Sequence, residues 1–474
     1  MRYQIVSLIL SLLVAAEGRA EIDRKKKPEP APAPATAFPD YKTRQLKNGL
    51  QVLVIEDDRK PTVVFRLIIK GGSIFDGAKT GLGGFVATLL NRGTASRDAA
   101  TFARETDFIG MQLEAVSGPD SIALSAAGLT KYTDKILELF SDAILRPAFP
   151  AEQLEIERRK ALSALAAERM EPETLAGKLT GKLVFGAHPY GAYRTPESVQ
   201  AITRDDVVGY HKSQFLPNNA TLAIVGDIKA DAIVPLVEKA LADWKPGDPR
   251  KPELPEAPKM KGVEVHLVDR PGSVQSNIVI CMPGPPRASG HLPELNVLNA
   301  TLGGGLSGRL FQNLREKHGY TYGAYSTFTW NKFAGAFQVT AETRNEVTAP
   351  AIAEAMAEMR RMREEPVPDG ELELQRQYNV GNFLLSLENA NRTAQRVQDI
   401  ELYGLPADFY KTYAQRMAKV TAAAIQELAK KYIEVENLAI VVVGEGKEVK
   451  PALEKIGKVF VYDTDLKPVP APKG

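Results

Sequence analysis

The stretch GLGGFVATLLNRGT, residues 81–94, places apolar side chains at Leu82, Phe85, Val86, Leu89 and Leu90. That spacing predicts a helix with one buried face. A surface helix ordinarily carries charged residues on its other face. This one carries Gly84, Ala87, Thr88 and Asn91. Gly83 and Gly84 also each lower helix stability by roughly 1 kcal/mol relative to Ala. The helix therefore has a second face that is small, uncharged and poorly helix-forming.

Around it, apolar runs predict strands at LQVLVIED (50–57), TVVFRLIIK (62–70), MQLEAVS (111–117) and SIALSAAG (121–128). Helical patterns cover about 99–109, 131–145, 151–170 and 204–213. A strand, TLAIVGD, and a helix reaching about Asp243 close this half. Strands grouped before helices predict an α+β fold, a mostly antiparallel sheet with helices on one face.

The pattern occurs twice. FPAEQL (149–154) is matched by VPDGEL (367–372), and NATLAIVGD (219–227) by NLAIVVVGE (437–445), both displaced by 218 residues. In each of the first pair a proline sits where a helix begins. One long period implies two homologous domains rather than a solenoid of short units. Between them, KPGDPRKPELPEAPK (245–259) has proline at every third position, the period of a polyproline II segment. The expected division is a signal peptide at 1–20, a Pro/Ala-rich tether at 21–39 and an N-terminal domain at 40–244. A Pro-rich linker at 245–260, a C-terminal domain at 261–465 and a tail at 466–474 follow.

Composition narrows the setting. At 474 residues the chain exceeds one ordinary core, and its net charge of +2 gives no reason to expect nucleic acid as a partner. Arg2 followed by IVSLILSLLVAA and a small residue at Ala20 reads as a secretory signal, with an uncleaved anchor as the alternative. The single cysteine, Cys281, cannot form an internal disulfide and is expected in the core. Export without disulfides suits a periplasmic or secreted protein with no stable membrane insertion after cleavage.

The five histidines, 188, 211, 266, 291 and 318, offer no local metal-ligand spacing. GGGLSGRL (303–310) lacks the Lys of a phosphate loop and lies between two helical patterns. In LGGGLSGRLFQNLREKHGYTYGAYSTF (302–328), Leu306, Leu310 and Leu314 are expected on one helical face, with the helix ending at Gly319. Arg315 then falls in the last helical turn and Tyr322 on the next strand. Arg315 suits a helix C-terminus on structural grounds alone. The functional alternative is that Arg315 and Tyr322 both donate to one polar ligand, such as a peptide carbonyl.

With LKNGLQVLVIED, GLGGFVATLLNRGT, HPYGAYRTPESVQAITRDDVVGYHKSQFLPNNATLAIVGD and GGGLSGRLFQNLREKHGYTYGAYS, the chain resembles the M16 family over about residues 40–465. This is the pitrilysin and mitochondrial-processing-peptidase group of zinc peptidases. The resemblance implies two homologous α+β domains. In the branch with chains of this size, it also implies pairing of two chains around an extended peptide. Active members carry H-x-x-E-H where this chain has Gly84, Ala87 and Thr88, and a third ligand, a Glu, where it has Ala164. Glu157 matches a supporting glutamate and, with no metal to support, is expected to be an exposed helix charge. A zinc peptidase needs its ligands and general base, so the chain is expected to be inactive alone, with no cofactor, the zinc residing in a partner subunit only. The seven-residue spacing of Arg315 and Tyr322 matches an Arg and Tyr that, in the family, hold the substrate backbone and stabilise the oxyanion. The implied function is the non-catalytic subunit of a heterodimeric metallopeptidase, its partners a chain bearing H-x-x-E-H and a peptide substrate. The alternative is a peptide-binding or scaffold homologue without any catalytic partner. No constellation supports an enzyme of different chemistry.

Overall fold

The computed structural model describes residues 38–470. The expected signal peptide, most of the tether and the last four residues lie outside them. Two six-stranded sheets form. The first uses β1 (Lys42–Gln45), β2 (Gln51–Glu56), β3 (Thr62–Lys70), β4 (Gln112–Ser117), β5 (Ser121–Leu129) and β6 (Ala220–Gly226), in the order β1-β2-β6-β3-β5-β4. The second uses β7 (Val263–Asp269), β8 (Gln275–Gly284), β9 (Thr321–Thr329), β10 (Gly335–Arg344), β11 (Leu438–Gly444) and β12 (Lys458–Tyr462), in the order β12-β7-β11-β8-β10-β9. Neighbours are antiparallel except β2–β6, β7–β11 and β7–β12. The fold is thus α+β, with mostly antiparallel sheets, as the grouping of elements predicts.

The first half carries helices α1 (Leu82–Leu89), α2 (Ala99–Phe108), α3 (Thr133–Leu145), α4 (Ala151–Glu168), α5 (Pro172–Phe185), α6 (Pro196–Ala201), α7 (Arg204–Gln214) and α8 (Ala230–Ala240). The second carries α9 (Leu292–Leu302), α10 (Arg309–Phe311, running into a π-helix over Gln312–Lys317), α11 (Thr348–Glu364), α12 (Asp369–Ser386), α13 (Ala390–Tyr403), α14 (Tyr413–Ala418), α15 (Ala422–Tyr432) and α16 (Gly446–Leu453). The repeat is geometric as well as textual. The pairs α4/α12, α5/α13, α7/α15 and β6/β11 have the same lengths and begin 218 residues apart.

The pattern predicts helices on one sheet face, but both faces are covered. Helix α5, PETLAGKLTGKLVF, leaves the first half and packs on β8 and β11 of the second. Its counterpart α13 packs on β6 and β3 of the first. Each central strand is therefore buried along its whole length, which is why both read as unbroken apolar runs. Helix α5 escapes pattern reading because two glycines and two threonines interrupt its apolar face. The exchange is fastened at Gln398 of α13, which is fully buried and donates to the Arg66 and Thr221 carbonyls at 2.6 and 2.8 Å. Cys281 is buried under α5, as expected, and burial pushes its thiol pKa up to about 12.

Three expectations need correction. The tether does not run free to residue 39, because Phe38 is buried and stacks on Tyr410 with ring centres 5.5 Å apart. The tail does not begin free at 466. Leu466 is buried, and the Val469 N–H donates to the Val461 carbonyl at 2.8 Å. Leu306 does not share the helical face of Leu310 and Leu314. It lies in the turn before α10 and is 62% exposed. Between α8 and β7 the Pro-rich stretch forms neither helix nor strand. None of the described helices is long and apolar enough to cross a membrane.

Candidate functional site

Helix α1 forms where its apolar spacing places it, with Leu82, Phe85, Val86 and Leu89 buried. The chain enters it through Gly81 at φ +104°, a conformation open to glycine and strained for other residues. The Asp76 carboxylate accepts from the Gly81 and Gly83 N–H groups at 2.7 and 2.8 Å, capping the first turn. Burial pushes the Asp76 pKa up to about 6.

The small face of α1 is divided. Ala87 is 1% exposed and belongs to the core, so it does not face open space. Gly84 and Thr88 line a cleft of about 270 Å³ together with Ala164 of α4, and a Cβ added at Gly84 meets nothing within 4 Å. The structure thus brings Gly84, Thr88 and Ala164 together. Glu157, expected to be an exposed charge, is only 12% exposed at its side chain. It pairs with Lys160 at 2.9 Å and Arg92 at 3.5 Å. These residues do not fit a zinc ion: no His or Cys lines the cleft, and its one carboxylate is held by two cations. Among the described residues no group of three or more His, Cys, Asp or Glu is placed to hold a metal.

Arg315 and Tyr322 lie in the second half, around the transition from α10 to β9, one of the two edge strands of that sheet. Both stand on irregular backbone. Arg315 is in the π-helix, where the Tyr320 N–H reaches back to the Leu314 carbonyl and Gly319 closes the turn at φ +62°. Its guanidinium lies over the Phe311 ring at 4.8 Å and beside Glu316 at 3.6 Å. On β9 the register with β10 slips: Ala324 faces Ala341 but Thr321 faces Thr343, so Tyr322 and Gly323 share one place opposite Glu342. This bulge turns Tyr322 outward, leaving it 88% exposed. Gly323 permits it, because a Cβ there would come within 2.7 Å of the Tyr325 ring. The sequence held a signal for the bulge that spacing alone does not use, an isolated glycine inside a strand pattern.

Residues 51–191 match the family model described as insulinase (peptidase family M16), and residues 201–379 match that of the peptidase M16 inactive domain. The chain belongs to peptidase family M16. Among relatives, an uncharacterized zinc protease of Mycobacterium leprae is 27% identical over 88% of this chain and 93% of its own length. Another, of Bacillus subtilis, is 23% identical over 74% and 85%. Two solved structures share the M16 fold. One is a peptidase M16 inactive domain from Pseudomonas fluorescens, with a TM-score of 0.80 and 23% identity over 85% of this chain and 98% of that one. The other is a protease from Helicobacter pylori, with a TM-score of 0.81 and 20% identity over 86% and 100%. The M16 relatives are named zinc proteases, while in this chain the residues lining the cleft beside helix α1 include Gly84, Thr88 and Ala164 and no His or Cys.

Proposed function

We propose that this chain is the non-catalytic subunit of a heterodimeric M16 metallopeptidase. It closes one wall of a peptide chamber and supplies Arg315 and Tyr322 to a substrate held at a partner's zinc. The observation that supports this most is the presentation of the pair. A π-turn and a β-bulge hold Arg315 and Tyr322 at an edge strand of the second sheet, and the Tyr322 hydroxyl has no hydrogen-bond partner among the described residues. Donors held in place at a developing oxyanion contribute several kcal/mol to transition-state binding. A guanidinium and a phenol suit a peptide carbonyl, and the adjacent strand edge suits an extended backbone. The cleft at Gly84, Thr88 and Ala164 supplies neither ligand nor base, so hydrolysis belongs to the partner. The basic start and apolar run of residues 1–20 support export to the periplasm or beyond.

The test is co-purification of the full chain from its native host, followed by peptide hydrolysis by the isolated complex. A chain carrying H-x-x-E-H is expected with it, together with zinc-dependent cleavage that neither chain achieves alone. Absence of such a chain would overturn the proposal in favour of a scaffold without a catalytic partner.

A further inference from the structure

A second cavity, of about 470 Å³, lies where both halves and the linker meet. Lys70, at the end of β3, comes from the first half, and Lys332, in the turn between β9 and β10, from the second. Arg250 and Lys251 come from the linker. Among the described residues none of these four cations forms an ion pair, whereas many surface cations of this chain do. Two carboxylates also line the cavity. Asp120 is already engaged, accepting from the Tyr190 hydroxyl and, at 2.8 Å, from the Lys332 N–H. Asp248 lies on the exposed linker. Four cations face two carboxylates, leaving an excess of two positive charges.

Two aromatic rings line the same space. The Arg250 guanidinium lies 5.8 Å from the Phe75 ring centre, and the Lys332 ammonium 5.6 Å from that of Phe333. Burial, and then the nearby Lys70 charge, hold the Lys332 pKa below the usual lysine range. Like charges gathered in a half-enclosed space repel one another, and an anion between them relieves that repulsion.

We infer that this cavity binds a phosphate group, free or as part of a small phosphate ester or diphosphate, with Lys70, Lys332 and Arg250 as donors. A phosphate monoester carries about −1.5 to −2 charge near neutral pH in one compact group, which matches the excess. Charge-assisted hydrogen bonds from ammonium and guanidinium groups are among the strong ones. The occupant would touch both halves and the linker, and so tie them together. The cavity shares no lining residue with Arg315 or Tyr322.

The test uses the full chain and inorganic pyrophosphate as probe, by titration calorimetry and thermal unfolding. One saturable site is expected, with a melting temperature that rises with probe concentration. Lys70→Gln and Lys332→Gln should each weaken binding by about tenfold or more, as expected for loss of a charge-assisted contact. Where either variant fails to fold, Arg250→Gln and Lys251→Gln on the exposed linker take its place, with a weakening in the same direction. Absence of saturable binding, or affinity unchanged in these variants, would overturn the inference. So would an equal thermal shift from sodium chloride at matched ionic strength. Equal affinity for citrate would overturn the assignment to phosphate.

Discussion

The two halves share one topology over five of their six strands, yet they treat their sites in opposite ways. In the first, α1 is a regular helix from which the expected ligand side chains are missing. In the second, the Arg315–Tyr322 region keeps both side chains but on a π-turn and a bulged strand. A regular helix needs no chemistry to persist, because Leu82, Phe85, Val86 and Leu89 hold it to the core. Irregular backbone is different: Leu314 anchors the π-turn in the core, but the bulge at Tyr322 leaves a residue unpaired and disrupts the ladder locally. Where such a device persists around exposed polar side chains, the surface it presents is the reason to expect use. The largest prediction follows. In the partnered complex, Arg315→Ala with Tyr322→Phe should lower kcat/KM roughly 10²- to 10³-fold, the scale seen for loss of oxyanion donors. The same change should shift unfolding free energy by less than about 0.5 kcal/mol, because both side chains are exposed. An unchanged peptidase rate would leave the two halves equally silent and remove the contrast.

The exchanged helices give the next test. Gln398 on α13 and Thr180 on α5 occupy equivalent places, 218 residues apart. Gln398 donates to two carbonyls of the opposite sheet, whereas among the described residues the buried Thr180 hydroxyl has no oxygen or nitrogen partner and only the weakly bonding Cys281 thiol beside it. Gln398→Leu should therefore cost about 2–3 kcal/mol in urea unfolding, while Thr180→Val should be neutral or slightly stabilising. Equal costs would mean that α5 and α13 are held by packing area alone.

Acid separates the halves too. His211 on α7 is half-buried, its Nε2 2.9 Å from the Ile144 carbonyl, and the loss of solvent around the ring pushes its pKa down to about 4. The equivalent place on α15 is Ala429. A histidine whose folded pKa lies below its unfolded value stabilises the protein fully above that unfolded value. The contribution fades as pH falls from about 6.5 through about 4, by at most roughly 3 kcal/mol. Hydrogen exchange at stepped pH should show α7 and its neighbours losing protection before α15. His211→Ala, which copies the other half, should flatten the acid dependence even though it leaves a cavity. Simultaneous loss of protection in both halves would show that the exchanged helices bind them into one cooperative unit.

Repetition and period made much of this architecture legible in the sequence. Strands β2, β3, β5 and β6 and the helices around them follow from apolar spacing, because burial on a known face leaves a periodic mark. Helix α5 left no such mark. Its buried side chains face another half of the molecule, and its glycines blur the pattern. The site was legible as residue identity, not as environment. Arg315 and Tyr322 could be named from spacing and resemblance, but the bulge that turns Tyr322 outward depends on a register slip against Glu342. Ala87 and Glu157 were misplaced for one reason: exposure depends on what packs from elsewhere. Core residues close over Ala87, and Arg92 reaches Glu157 from the end of α1.

The smallest prediction concerns the two glycines of α1, which sequence reading treats alike. Their surroundings differ. A Cβ at Gly83 would lie 2.8 Å from Ser117 Oγ and 3.2 Å from Asp76 Oδ1, the carboxylate that caps the helix. A Cβ at Gly84 would meet nothing. Gly84→Ala should stabilise the chain by up to about 1 kcal/mol, the propensity difference in a helix interior. Gly83→Ala has the same propensity gain but must displace the cap, so it should destabilise instead. Thermal unfolding of the two single variants decides it. If both stabilise, the Asp76 contact is dispensable and α1 is held by its apolar face alone. If neither does, the open cleft beside Gly84 is not the unfilled space that the backbone there shows.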